Sequence, residues 1–142
     1  MNIRPAVCKP ADRGSVAVEF ALLLPVLLLL LFGIIDFGRA LNAQITLTQA
    51  AREGARLASL GQPNATVVSS TQAAATGVSP VTVTVTSSCP VGAGAGVNAV
   101  VKVSYAFSFV TPVGDIARMF VPSSTVGSAL TLTAQGVMPC ET

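Results

Sequence analysis

The sequence predicts an α+β protein in which a long N-terminal transmembrane helix continues out of the bilayer into a small antiparallel-sheet domain. Three observations predict it. Residues 16–35 read VAVEFALLLPVLLLLLFGII, with Glu19 as the sole ionisable group; the helical pattern persists to Gly61 and Pro63; and beyond residue 64 the apolar period changes to two. The composition agrees, with 142 residues that are 51% hydrophobic and only 10% charged, where soluble domains carry about 25% charge.

Each element follows in order. Residues 1–14 hold Arg4, Lys9 and Arg13 against Asp12, and Pro5 and Pro10 discourage a helix, so this part reads as a basic, extended leader. A helix starts at Ser15. Its first 20 or so residues, at about 1.5 Å each, match a hydrocarbon layer of about 30 Å. Pro25 predicts a kink near Phe20 and Ala21 rather than a break, because a helix in lipid has no better alternative. The leader charges hold the N-terminus on the cytoplasmic side and send the rest outward, against a weaker opposite pull from Arg39, Arg52 and Arg56.

Residues 15–38 are thus the transmembrane part, and residues 39–62 carry the same helix into water, for a total length on the order of 70 Å. Its outer half needs something to lean on. Ala50, Gly54 and Ala58 recur every four residues beside Ala51 and Ala55, a small-residue stripe that permits close backbone approach. The stripe serves either a local core or a contact with another subunit, while Arg52, Glu53 and Arg56 fall largely on other faces. Asp36 and Arg39, three residues apart at the outer boundary, are expected to pair or to snorkel, with a docking role as the lesser alternative.

Residues 63–142 form the strand-rich domain. A short helix with an Ala-rich face is expected over residues 67–77. Val81, Val83 and Val85 alternate with threonines, and Val97, Ala99, Val101, Val103, Tyr105, Phe107 and Phe109 share one parity; both runs read as half-buried strands. The intervening CPVGAGAGVN is a glycine-rich connection, since neither a following helix nor a P-loop lysine accompanies it. Val113, Ile116, Ala117 and Phe120 fit a short amphipathic helix ended by Pro122, and Leu130, Leu132 and Ala134 open a third strand. A three- or four-stranded sheet of this size is marginal alone, so the outer half of the long helix is expected to cover its apolar face.

Cys89 shares the parity of the first strand's valines and Cys140 that of Leu130 and Leu132, so both point to one face if the strands continue. An oxidising exterior favours a disulfide between them. Cys8 belongs to the leader.

The same composition narrows the chemistry. The chain has no His and three Cys, and its net charge is +2 without a dense basic patch. Imidazole acid–base chemistry and a Cys–His or four-cysteine metal site are excluded within one chain. Nucleic acid is not an expected partner. Asp36, Glu53, Asp115 and Glu141 with Ser or Thr, or a Ser paired with Lys102, form no recognisable catalytic motif. No catalytic residue, cofactor or metal is expected, and the protein is expected not to be an enzyme.

The remaining chemistry lies at the head of the helix. A lone carboxylate in a membrane helix costs about 2.5–3.5 kcal/mol at mid-bilayer and less near the interface. If the chain is cut after Gly14, the new amine of Ser15 stands one turn from Glu19, or near a neighbouring copy's Glu19 in a staggered assembly, and such a pair fixes register. Alternatively Glu19 snorkels to the headgroups or is neutral. The stretch RGSVAVEFALLLPVLLLLLFGIIDFGRALNAQITLTQAAREGAR resembles the start of TadE-like proteins, pseudopilins of tight-adherence (Flp) pilus systems. The resemblance rests on the G-x4-E-F junction from Gly14 to Phe20 together with AAREGAR, residues 50–56, and covers residues 13–60.

The resemblance implies a pilin-like fold and cleavage after Gly14 by a prepilin peptidase, leaving Ser15 as the mature N-terminus. It implies that Glu19 and Phe20 serve recognition and subunit docking. It also implies a single-pass protein of a bacterial inner membrane with its C-terminal domain in the periplasm, which is incorporated into the pilus or acts beneath it. The implied partners are the peptidase, other pilins and pseudopilins, the inner-membrane assembly platform and the lipid bilayer. Major Flp pilins usually show Tyr after the Glu, so Phe20 and the extra domain point to a minor pseudopilin, of TadE or TadF type. The alternatives are an uncleaved single-pass scaffold protein and a secreted protein cut near residues 41–43, although the apolar run is long for a signal peptide.

Overall fold

The structure is a computed structural model and describes residues 12–90, 92, 96–110, 114 and 129–140, with side chains from Gly14 onward. The leader through residue 11 with Cys8, the short helix expected over residues 113–120, Asp115 and Glu141 lie outside these residues.

Helix α1 runs from Asp12 to Ser59 without interruption at Pro25, roughly 72 Å at 1.5 Å per residue. It begins three residues before the expected start at Ser15. Its end is set by a glycine: Gly61 adopts φ +69°, its N–H donates to the Ala58 carbonyl at 3.2 Å, and the Gln62 N–H donates to the Leu57 carbonyl at 3.2 Å. This is a Schellman closure, available at little cost because glycine has no Cβ to clash in the left-handed region.

Helix α2 spans Asn64–Ala74. Its buried side chains are Val67 and Thr71, so the face expected to be Ala-rich instead presents a β-branched pair. The buried Thr71 hydroxyl is satisfied by donating to the Val67 carbonyl at 2.6 Å, as a hydroxyl out of reach of water requires.

Strands β1 (Val81–Ser87), β2 (Asn98–Phe107) and β3 (Leu130–Pro139) form an antiparallel sheet in the order β1-β2-β3. Val83 pairs with Val103 and Val103 with Ala134, and Thr84, Lys102 and Gln135 lie in the next row. With side chains alternating between faces, one face carries Ala99, Val101, Val103 and Ala134 into the core. The other turns Thr82, Thr84, Thr86, Lys102, Thr131, Thr133 and Gln135 to solvent.

The outer half of α1 and helix α2 cover the apolar face. Ala43, Leu47, Ala51, Ala55 and Ala58 of α1 pack in one cluster with Val67 of α2 and the four inward sheet residues. Alanine dominates the helix side because a small side chain lets the helix axis approach the sheet. Gly136 is the extreme: a Cβ there would collide with the Ala51 carbonyl. Gln44 adds a polar tie by donating from Nε2 to the Thr133 carbonyl at 2.9 Å. Helix α1 therefore runs alongside β3 in the same direction and opposite to β2, with its N-terminal half extending beyond the sheet.

Candidate functional site: the span and the base of the head

Along residues 14–35 the side chains of α1 are exposed around the whole circumference except for partial cover at Phe32. The helix is long and apolar enough to cross a membrane. All-round apolarity marks a helix whose environment is itself apolar. Gly14 and Ser15 lie in its first turns, a Cβ on Gly14 would meet nothing, and Glu19 and Phe20 are exposed on the next turn. Ser15 and Glu19, four residues apart on one helix, share a face. This group stands about 26 Å from Asp36, counting 17 residues along the helix.

At Asp36 the environment changes within one residue. Ile35 is exposed, whereas the Asp36 side chain is 3% exposed and accepts from Arg39 Nη1 at 3.1 Å. The same oxygen, Oδ1, also accepts from the Val110 N–H at 3.4 Å. The expected pairing with Arg39 is present, but Asp36 turns inward rather than snorkelling and ties the chain leaving β2 to the helix. The Arg39 guanidinium lies 5.3 Å from the centroid of the Phe107 ring, within reach of its negative face. Phe107 meets Phe109 edge to face at 5.4 Å and 87°. Thus the lower end of the head is fastened to the helix at the first residue past the apolar run.

The opposite end of the sheet is closed covalently. Cys89 and Cys140 form a disulfide, with Cα atoms 5.6 Å apart. Cys89 lies two residues past the end of β1, after the register shifts between Val85 and Ser87. Its N–H donates to the Ala58 carbonyl at 3.2 Å, and the Cys140 N–H donates to the Val97 carbonyl at 2.9 Å. The cystine thereby joins the two edge strands directly under the C-terminus of α1.

The small-residue stripe is used within the chain. Ala50, Gly54 and Ala58 are buried, and a Cβ on Gly54 would press on Thr71 of α2 and come within 3.1 Å of Val101 of β2. None of the three is left for a neighbouring subunit. On the solvent side of the same turns Glu53 and Arg56 form a bidentate pair at 2.7 and 3.0 Å, and the hydrogen bond from Arg56 holds the Glu53 carboxyl below the usual carboxylate range.

Sequence reasoning missed Gly136, Thr71, Gln44 and the inward role of Asp36. For Asp36 a signal existed, since an acid directly after an apolar span needs a local partner; for Gly136 the sole hint was a glycine inside a strand pattern, which often marks close backbone approach.

A bilayer-length apolar helix with a small sheet clamped on its outer half defines the class: among the described residues, one helix long and apolar enough to cross a membrane carries a compact α+β head. More particularly, residues 14–56 match the model of the TadE-like protein family, so the chain carries a TadE-like segment, which links it to Tad/Flp pilus systems. The matched segment starts at Gly14 and ends within α1, before the sheet. No curated protein and no solved structure matches the chain.

Proposed function

We propose that this chain is a minor pseudopilin that takes part in assembling a tight-adherence (Flp) pilus after a prepilin peptidase cuts it behind Gly14. The observation that carries the reading is the family match beginning at Gly14 itself and running through the whole span. Cleavage at that point leaves the Ser15 amine one turn from Glu19, so a cation is created where lipid makes a lone carboxylate costly. Glu19 and Phe20, exposed on the span, then direct docking to other pilins and pseudopilins on the inner-membrane platform. The head faces the periplasm, where an oxidising milieu suits the Cys89–Cys140 bond. Its role is structural, and no catalysis is assigned to it.

Intact mass of the protein from its native membrane tests the cut, with loss of residues 1–14 expected. Because a side chain at Gly14 would meet no neighbour, Gly14→Val should leave the fold intact and abolish processing. Glu19→Gln should be processed but should impair pilus assembly. Normal maturation of Gly14→Val would sink the cleavage assignment, and unchanged piliation with Glu19→Gln would sink the docking role. The start of α1 at Asp12, with Gly14 already helical, favours a second reading, an uncleaved single-pass scaffold of the same apparatus. Retention of residues 1–14 would select it.

A further inference from the structure

The head has no stalk. Ile35 closes the apolar run, and the next residue, Asp36, is already bonded to the head through the Val110 N–H. With the bilayer surface at the end of the apolar run, the lower rim of the head lies at that level.

That rim is apolar. Val110 is 72% exposed, Leu130 50% and Phe37 65%, and Leu41 and Ile45 continue the exposed face of α1 above Phe37. Spacings of four residues put Phe37, Leu41 and Ile45 on one side of the helix, and the stripe ends where exposed Gln49 and Arg52 follow. Gln44 contacts Thr133, so seven helical residues back towards Phe37 correspond to three strand residues back to Leu130, each about 10 Å.

The apolar surface is therefore longer than a hydrocarbon core. Exposed apolar side chains from Val16 to Ile45 extend for about 44 Å, or about 41 Å along the bilayer normal at the average tilt of about 20°. That length matches the roughly 40–45 Å of a bilayer with its headgroup layers, against about 30 Å for the hydrocarbon alone.

We infer that the base of the head is seated in the lipid headgroup layer, with Phe37, Leu41, Val110 and Leu130 in contact with lipid. The occupant of this surface is the bilayer that the span already crosses, because the rim is continuous with the span and separated from it by no linker. Arg39 suits the same level: its guanidinium is partly exposed beside the buried Asp36, and cationic side chains at this depth reach phosphate groups while their stems stay in apolar surroundings. Seating at this depth fixes the tilt and height of the sheet above the membrane. The inference rests on α1 crossing a bilayer.

The chain contains no Trp, so single-Trp variants of the full chain in phosphatidylcholine–phosphatidylglycerol vesicles report depth without background. Leu27→Trp serves as the control for the span and Thr84→Trp, on the solvent face of the sheet, as the control for water. Val110→Trp and Leu130→Trp should emit at shorter wavelength than Thr84→Trp. Both should lose most intensity with lipids brominated close to the headgroup and less with lipids brominated near the chain end. Phe37→Trp, on the helix surface, should do the same independently of any disturbance in the head. If Leu27→Trp is quenched while the three rim variants behave like Thr84→Trp, the head stands clear of lipid and the inference is overturned. A blue shift without quenching would mean that a second copy covers the rim, which also overturns it. Absence of quenching at Leu27→Trp would remove the span itself, and with it the membrane reading.

Discussion

Gly136 of β3 lies directly against the backbone of Ala51 in α1, so close that the carbonyl of Ala51 occupies the space a Cβ would need. This contact sets the distance between helix and sheet. Backbone cannot retreat as the end of a flexible side chain can, so Gly136→Ala should force α1 away from β3 and strain the Gln44 to Thr133 hydrogen bond. Overpacking of this kind costs about 1–3 kcal/mol. A lowered thermal midpoint in detergent is the expected result, and an unchanged midpoint would contradict the packing.

Removing the carboxylate of Asp36 should loosen the base of the head. Asp36→Ala deprives the Val110 N–H and the Arg39 guanidinium of an acceptor. Loss of a buried acceptor costs about 1–3 kcal/mol, and the partial exposure of Arg39 lets water recover part of its charge. Asp36→Asn keeps an acceptor oxygen and should lose less. Faster amide exchange at Val110 in Asp36→Ala than in Asp36→Asn is the discriminating measurement.

The disulfide should be a major part of the stability of the head. The bonded cysteines are 51 residues apart, and the loop-entropy relation gives roughly 4 kcal/mol for a closure of that length. Reduction, or Cys89→Ser with Cys140→Ser, should lower the unfolding midpoint markedly and expose the end of the sheet to proteolysis. Identical midpoints with and without reductant would refute the bond.

The Glu53–Arg56 pair gives a pH dependence of known sign. The Glu53 carboxyl titrates lower when folded, through its hydrogen bond from Arg56, so its contribution is present above the unfolded carboxylate pKa and is lost as pH falls through the folded value. Both side chains are largely solvated, so the effect is small and weakens with salt. Acidification from neutral pH should lower the melting midpoint slightly more in the wild type than in Arg56→Ala at low ionic strength, and the difference should vanish at high salt.

The expected span, the stop at Gly61 and the three strands were legible because each rests on local physics. Lipid-length apolarity, the left-handed freedom of glycine and a period of two in Val81, Val83 and Val85 are properties of neighbouring residues and need no knowledge of what they pack against. Parity likewise put Cys89 and Cys140 on one face, although the register shift after Val85 means that the chain beyond β1, not the strand itself, carries Cys89 into the core.

The sequence by itself determined the long helix and the three strands, that this helix is long and apolar enough to cross a membrane, and that the junction from Gly14 to Phe20 resembles a processing site. Only the tertiary structure decided that the stripe of Ala50, Gly54 and Ala58 is buried within its own chain, with Gly54 against Thr71 of α2 and Val101 of β2, that Asp36 turns inward to hold Val110, and that Gly136 sets the helix–sheet distance. The reason is physical: periodicity records which face of an element avoids water, but two different surfaces can satisfy the same face, and the choice between them is made by shape and hydrogen-bond complementarity across residues far apart in the chain.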